Sequence, residues 1–176
     1  MNLYTQPIKF SLFKSIIFGA VFLIVINLLT GTYLFDVKGY YATLNKPIIA
    51  PPPFLFGIVW PINNILIILG NIWTLRREPS SDRSSLISLQ ILSWINYALF
   101  TFLSFGLKNP FGFFAPTFSM LLLTLASIYF AYKLDSKDKN FWQTVRSGRS
   151  ITFTFATLVL WLTLASYLGF YIWINN

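Results

Sequence analysis

Charged residues are missing from five long stretches of the chain: 15–35, 47–75, 84–107, 109–132 and 150–176. Each holds at least the roughly 20 residues that an α-helix needs to cross about 30 Å of hydrocarbon. The pattern predicts one all-α membrane domain over residues 1–176. It is a bundle of five transmembrane helices at 15–35, 54–75, 84–107, 111–133 and 150–174. The second helix is placed after Pro51 and Pro52 because proline suits the first turn of a helix and little else in it. Transmembrane β-strands would alternate apolar and polar positions over about 10 residues, and no stretch does so. Lys9 and Lys14 ahead of an apolar run resemble the start of a signal peptide. The run is longer than a signal core and no small-residue cleavage pattern precedes Asp36, so it reads as a retained first helix.

Composition changes the picture only by strengthening it. Apolar residues make up 56% of the 176, aromatic residues 19% and charged residues 10%, against about 25% charged in soluble domains. The net charge of +8 is unevenly placed. Five spans put Lys9, Lys14, Arg76, Arg77, Arg83, Lys133, Lys137, Lys139, Arg146 and Arg149 on one side, and Lys38, Lys46 and Lys108 on the other. The positive-inside rule then predicts a cytoplasmic N-terminus and an outer C-terminus. The basic excess is thus a topology signal, and no clustered aromatic–basic motif supports nucleic-acid binding. Residues 133–149 suit either a solvated loop or contact with anionic lipid head groups.

The chain has no Cys and no His, which excludes disulfides, structural zinc sites, Cys nucleophiles, Ser-His-Asp triads and His-ligated haem. No metal site is expected and no cofactor is required. Asp36, Glu78, Asp82, Asp135 and Asp138 all fall between the predicted spans, as do the lysines and arginines. Ionisable groups inside spans mark proton relays and ion pathways, so a pump or ion-coupled transporter is not expected. The neutral polar groups instead form stripes at helical spacing. Trp60, Asn64, Ile67 and Asn71 share one face of the second helix, with Pro61 expected to kink it. Gln90, Ser93, Trp94, Tyr97, Thr101 and Ser104 line the third, and Ser150, Thr154, Thr157, Trp161 and Ala165 line the fifth. Such faces point into a bundle, either as packing or as the wall of a polar cavity to which Asn64, Asn71 and Asn96 contribute amides. Trp73, Trp142 and Trp173 suit interfacial anchors, whereas Trp60 and Trp161 lie deeper and suit the walls of an aromatic pocket.

One segment carries a recognisable motif. Tyr40-Tyr41-Ala42-Thr43-Leu44-Asn45-Lys46-Pro47, Pro51-Pro52 and Phe56-Gly57-Ile58-Val59-Trp60 resemble the TspO/MBR family (tryptophan-rich sensory or translocator protein). That family reads roughly W-Y-x-x-L-x-K-P-x-x-x-P-P and then F-G-P-V-W. Gly106 to Pro110, Leu160-Trp161, Ala165 and Trp173 are similar to its later segments, so the likeness spans residues 27–176. The sequence also departs from the pattern. Tyr40 and Phe54 replace tryptophans, Asn64 replaces a tyrosine, Ile68 and Gly169 replace a glycine and an asparagine, and Thr157-Leu158 replaces Pro-Tyr. Of the third-helix pattern L-N-x-x-W-S-P-L-F-F-G, only Asn96 and Gly106 remain, one residue out of register.

The resemblance implies a five-helix bundle, a possible homodimer, that binds a tetrapyrrole such as protoporphyrin IX or haem between its helices, beneath the loop after the first helix. The expected ligand-binding residues are Tyr41, Pro47, Phe56, Trp60, Asn64, Asn96, Tyr97, Trp161 and Ala165. The protein would act as a sensor, regulator or carrier of tetrapyrroles. Light-dependent porphyrin degradation is the enzymatic alternative, with Trp60 and Trp161 as its residues. A lipid or sterol carrier or a membrane scaffold is the third reading. Leu125, Tyr129 and Lys133 match a loose cholesterol pattern, but the last helix has no Lys or Arg after Tyr171. Tetrapyrrole and membrane lipids are the expected partners.

Overall fold

A computed structural model describes residues 11–30, 32–137, 145 and 149–176. Six helices run through them: α1 (Leu12–Thr30), α2 (Val37–Thr43), α3 (Pro53–Arg76), α4 (Ser81–Thr101), α5 (Phe111–Ser136) and α6 (Ile151–Asn175). A short 3₁₀ turn, Thr32–Leu34, precedes α2, and α4 continues into a π-helical turn, Phe102–Gly106. There is no strand among the described residues.

Local chemistry sets the helix starts. The Asp36 carboxylate accepts from the Gly39 N–H at 2.9 Å and starts α2. Ser80 accepts from Arg83 N–H at 3.2 Å, and Ser150 accepts from Phe153 N–H at 3.2 Å, to start α4 and α6. Each satisfies a donor that the first turn leaves free. Pro53 is the first residue of α3, and that helix runs unbroken through Pro61.

α5 forms the spine, packed along α6 on one side and α4 on the other, with α3 against α6 and α1 lying over α3 and α4. Glycines permit the closest approaches. A side chain at Gly169 would strike the backbone of Phe113 and Phe114, and a Cβ at Gly112 would lie 2.7 Å from the Leu103 carbonyl carbon. Outward positions are large and apolar, among them Phe13, Leu28, Leu122, Phe153 and Leu160, a surface that suits lipid and not water.

Among the described residues four helices are long and apolar enough to cross a membrane: 53–76, 81–106, 111–136 and 151–175. In α1 the apolar stretch is Phe13–Leu28, about 24 Å at 1.5 Å per residue. The expected count of five spans is therefore not reached on length and composition. The short α2 was also unforeseen, because seven residues carry too little periodicity to register.

A second correction concerns the charges. Arg76, Asp82, Arg83 and Asp135 belong to helices and not to loops, because helices continue past the hydrocarbon where their charges find partners. Asp135, fully buried in the last turn of α5, accepts from Arg77 Nη2 at 2.9 Å, Ser150 Oγ at 2.8 Å, and Thr152 N and Oγ1 at 2.9 and 2.8 Å. It thereby caps the start of α6 from a neighbouring helix. Arg76 donates to Ser15 on α1 at 2.6 Å, and the wholly buried Arg83 donates to the Leu75 carbonyl at 3.1 Å. Asp82 pairs with Lys137 at 2.9 Å at the same end. This basic end is a polar latch joining all five long helices.

Removing one partner from a buried, hydrogen-bonded ion pair costs more than removing one at the surface. Asp135→Ala is expected to lower the unfolding free energy in detergent by about 3 kcal/mol, and Asp82→Ala far less. Thermal melts of the two variants followed by circular dichroism check this order.

Candidate functional site

The opposite end of the bundle is built from the motif segment. Lys46 Nζ donates to the Tyr41 and Leu44 carbonyls at 2.6 and 2.7 Å, closing the C-terminus of α2, and lies 4.8 Å from the centre of the Tyr41 ring. Pro47 is buried, and its carbonyl accepts from Ala50 N–H at 2.9 Å in a tight turn. Asn45 and Asn176 exchange two hydrogen bonds, 2.8 and 3.1 Å, tying the loop to the end of α6. Tyr40 donates its hydroxyl to the Lys108 carbonyl at 2.8 Å, fastening the loop to the turn between α4 and α5.

Beneath this cover an aromatic ladder descends into the bundle. Tyr41 meets Phe56 with ring centres 5.7 Å apart, Phe56 meets Trp161 at 5.4 Å, and Trp161 meets Trp60 edge-on at 6.2 Å. Trp60 meets Tyr97 at 5.3 Å, Tyr97 meets Trp94 at 5.7 Å, and Trp94 meets Phe22 of α1 at 4.8 Å. These spacings lie in the range where aromatic pairs attract beyond simple burial. The Tyr41 hydroxyl and the Trp161 indole N–H are buried without a hydrogen-bond partner. Burial pushes the Tyr41 phenol above its ordinary range, which keeps it a neutral donor.

Five expected site residues therefore stand in one contiguous row: Tyr41, Phe56, Trp60, Tyr97 and Trp161. Asn64 joins them by donating to the Tyr97 hydroxyl at 3.1 Å. Two do not join. Asn96 turns its amide back to the Leu92 carbonyl of its own helix at 3.0 Å. Ala165, half-buried on α6, lies outside the walls of the cavity described next.

That cavity lies among α3, α4, α5 and α6 and holds about 20 Å³. Trp60, Asn64 and Ile67 of α3 face Gln90, Ser93, Trp94 and Tyr97 of α4 across it, so the two polar stripes do converge. Its remaining walls include Met120, Thr124, Phe155 and Leu162, which the polar pattern could not single out because most are apolar. The α6 stripe is spent differently: Thr154 and Thr157 donate to carbonyls of their own helix. Gln90 reaches Ser127 on α5 at 2.8 Å, a buried polar bridge between helices.

A drug-sized ligand occupies about 300 Å³ or more, so a tetrapyrrole fits here only if the rings of the ladder part. Among the described residues no group of three His, Cys, Asp or Glu could hold a metal. Met120 and Tyr97 are the wall residues with an atom able to bind a haem iron.

A comparison with curated proteins returns no match. A sequence profile of the TspO/MBR family matches residues 18–174, and the chain therefore belongs to the TspO/MBR family.

Proposed function

We propose that this multi-pass membrane protein binds a tetrapyrrole such as protoporphyrin IX along the ladder from Tyr41 to Trp60. The observation that carries the reading is the half-buried row of aromatic rings under the loop, with the Tyr41 hydroxyl and Trp161 indole N–H left without partners. A flat ring system slides between aromatic faces, and its polar edge meets those two donors. The polar latch at the basic end keeps the helix bases together, so the rings part at the loop end. Family membership supports the same reading.

We also take α1 as a fifth span. Ser15 touches Arg76 at the basic end, Phe22 meets Trp94 in the middle, and a Cβ at Gly106 would lie 2.9 Å from Phe35, which follows α1 at the loop end. Five spans put the N-terminus on the basic, cytoplasmic side. Light-driven degradation of the bound porphyrin is a second reading, favoured by the edge-on contact of Trp60 with Trp161 at the centre of the ladder.

Titration with protoporphyrin IX, read by the ligand's absorbance, is expected to saturate. Trp60→Phe combined with Trp161→Phe should weaken binding about tenfold, the equivalent of 1.4 kcal/mol. A titration without saturation, or one unchanged in the double variant, overturns the proposal, and a sterol that competes at the same site moves it to the lipid-carrier reading. Illuminating the complex tests the enzyme reading, which requires the absorbance to decay faster than in free porphyrin. The chain has no cysteine of its own, so single cysteines report sidedness directly. An impermeant maleimide should label Lys108→Cys in intact cells, and Ser81→Cys only after permeabilisation.

A further inference from the structure

Three residues on the walls of this cavity each carry a buried polar atom with no hydrogen-bond partner: Asn64 Oδ1, Ser93 Oγ and Trp94 Nε1. Asn64 is 3% exposed, and its Nδ2 is already committed to the Tyr97 hydroxyl. The three atoms are an acceptor on α3, a donor on α4, and a hydroxyl on α4 that does either. Burying such groups unpaired forfeits the hydrogen bonds they make with water. The cavity they border holds about 20 Å³, and one water requires about 10–15 Å³ and two to four polar partners.

We infer that this cavity is a binding site for a single internal water molecule that joins α3 to α4. The water accepts from the Trp94 indole N–H, donates to Asn64 Oδ1 and exchanges a hydrogen bond with Ser93. The volume excludes a larger guest, and the mixed donor–acceptor set excludes a purely apolar one. The role follows from the packing. Between α3 and α4 the Asn64–Tyr97 hydrogen bond runs beside the Trp60–Tyr97 ring contact, with Arg83 to the Leu75 carbonyl as a tie at the basic end. A bridging water adds a link at mid-bundle, where Gln90 and Ser127 already join α4 to α5. This hydration site shares Trp60, Asn64 and Tyr97 with the proposed tetrapyrrole site, but needs no tetrapyrrole to be tested.

The test is water–indole cross-relaxation by NMR on the ¹⁵N-labelled full chain in nanodiscs, with the Trp94 resonance assigned by its loss in Trp94→Phe. The wild type should show a rotating-frame cross-peak between water and the Trp94 indole proton, of opposite sign to the diagonal. Ser93→Ala should keep it, because Asn64 and Trp94 still hold the water; losing it there would trace the signal to the Ser93 hydroxyl. Asn64→Leu should lose it, because leucine removes the acceptor and fills the space. The other indole resonances show that each variant is folded. A missing peak in the wild type, a peak lost in Ser93→Ala, or one kept in Asn64→Leu overturns the inference.

Discussion

A carboxylate with no exposure to solvent dictates where the helices of this bundle must meet. Unpaired, Asp135 would cost several kcal/mol, so α3 must bring Arg77 to it and α6 must begin beside it. Its position at the end of α5 is unfavourable for an anion, since helix C-termini are negative. The positive N-terminus of α6 and the Ser150 and Thr152 hydroxyls offset that. One side chain thereby sets the relative positions of three helices, and Arg76 and Asp82 extend the same end to α1 and α4.

From that fixed base the two ends of the bundle behave differently. The basic end is held by directional, charge-assisted contacts that tolerate little displacement. The loop end is held by aromatic packing, whose contacts slide and tilt at low cost, and by ties through Tyr40, Lys46 and Asn176. The basic end therefore resists displacement more than the loop end does.

Much of this was legible from the distribution of charge and polarity. Four span-length helices fell where charged residues were missing, and the stripes through Trp60–Asn64–Ile67 and Gln90–Ser93–Trp94–Tyr97 predicted two of the cavity walls. Both follow from one rule, that polar groups avoid lipid. The same rule failed at the helix ends. It read Arg83 and Asp135 as loop residues, although burial there is made possible by partners far away in sequence. It also placed Asn96 beside Asn64, whereas a mid-helix amide can satisfy itself on the carbonyl four residues back. The apolar walls, Met120, Phe155 and Leu162, had no polarity to betray them.

The π-helical turn of Phe102–Gly106 decides which way the end of its helix faces. Its signature is the bond from Leu107 N–H to the Phe102 carbonyl, five residues back. One residue added to an α-helix rotates everything beyond it by about 100°, whereas a π-turn absorbs the addition in place. In the family pattern the asparagine and glycine of this helix stand nine residues apart; here Asn96 and Gly106 stand ten apart. The turn thus absorbs one residue more than that spacing holds, and packs against Gly112 of the next helix. It explains why a motif that slips by one position along the sequence need not have turned away in space.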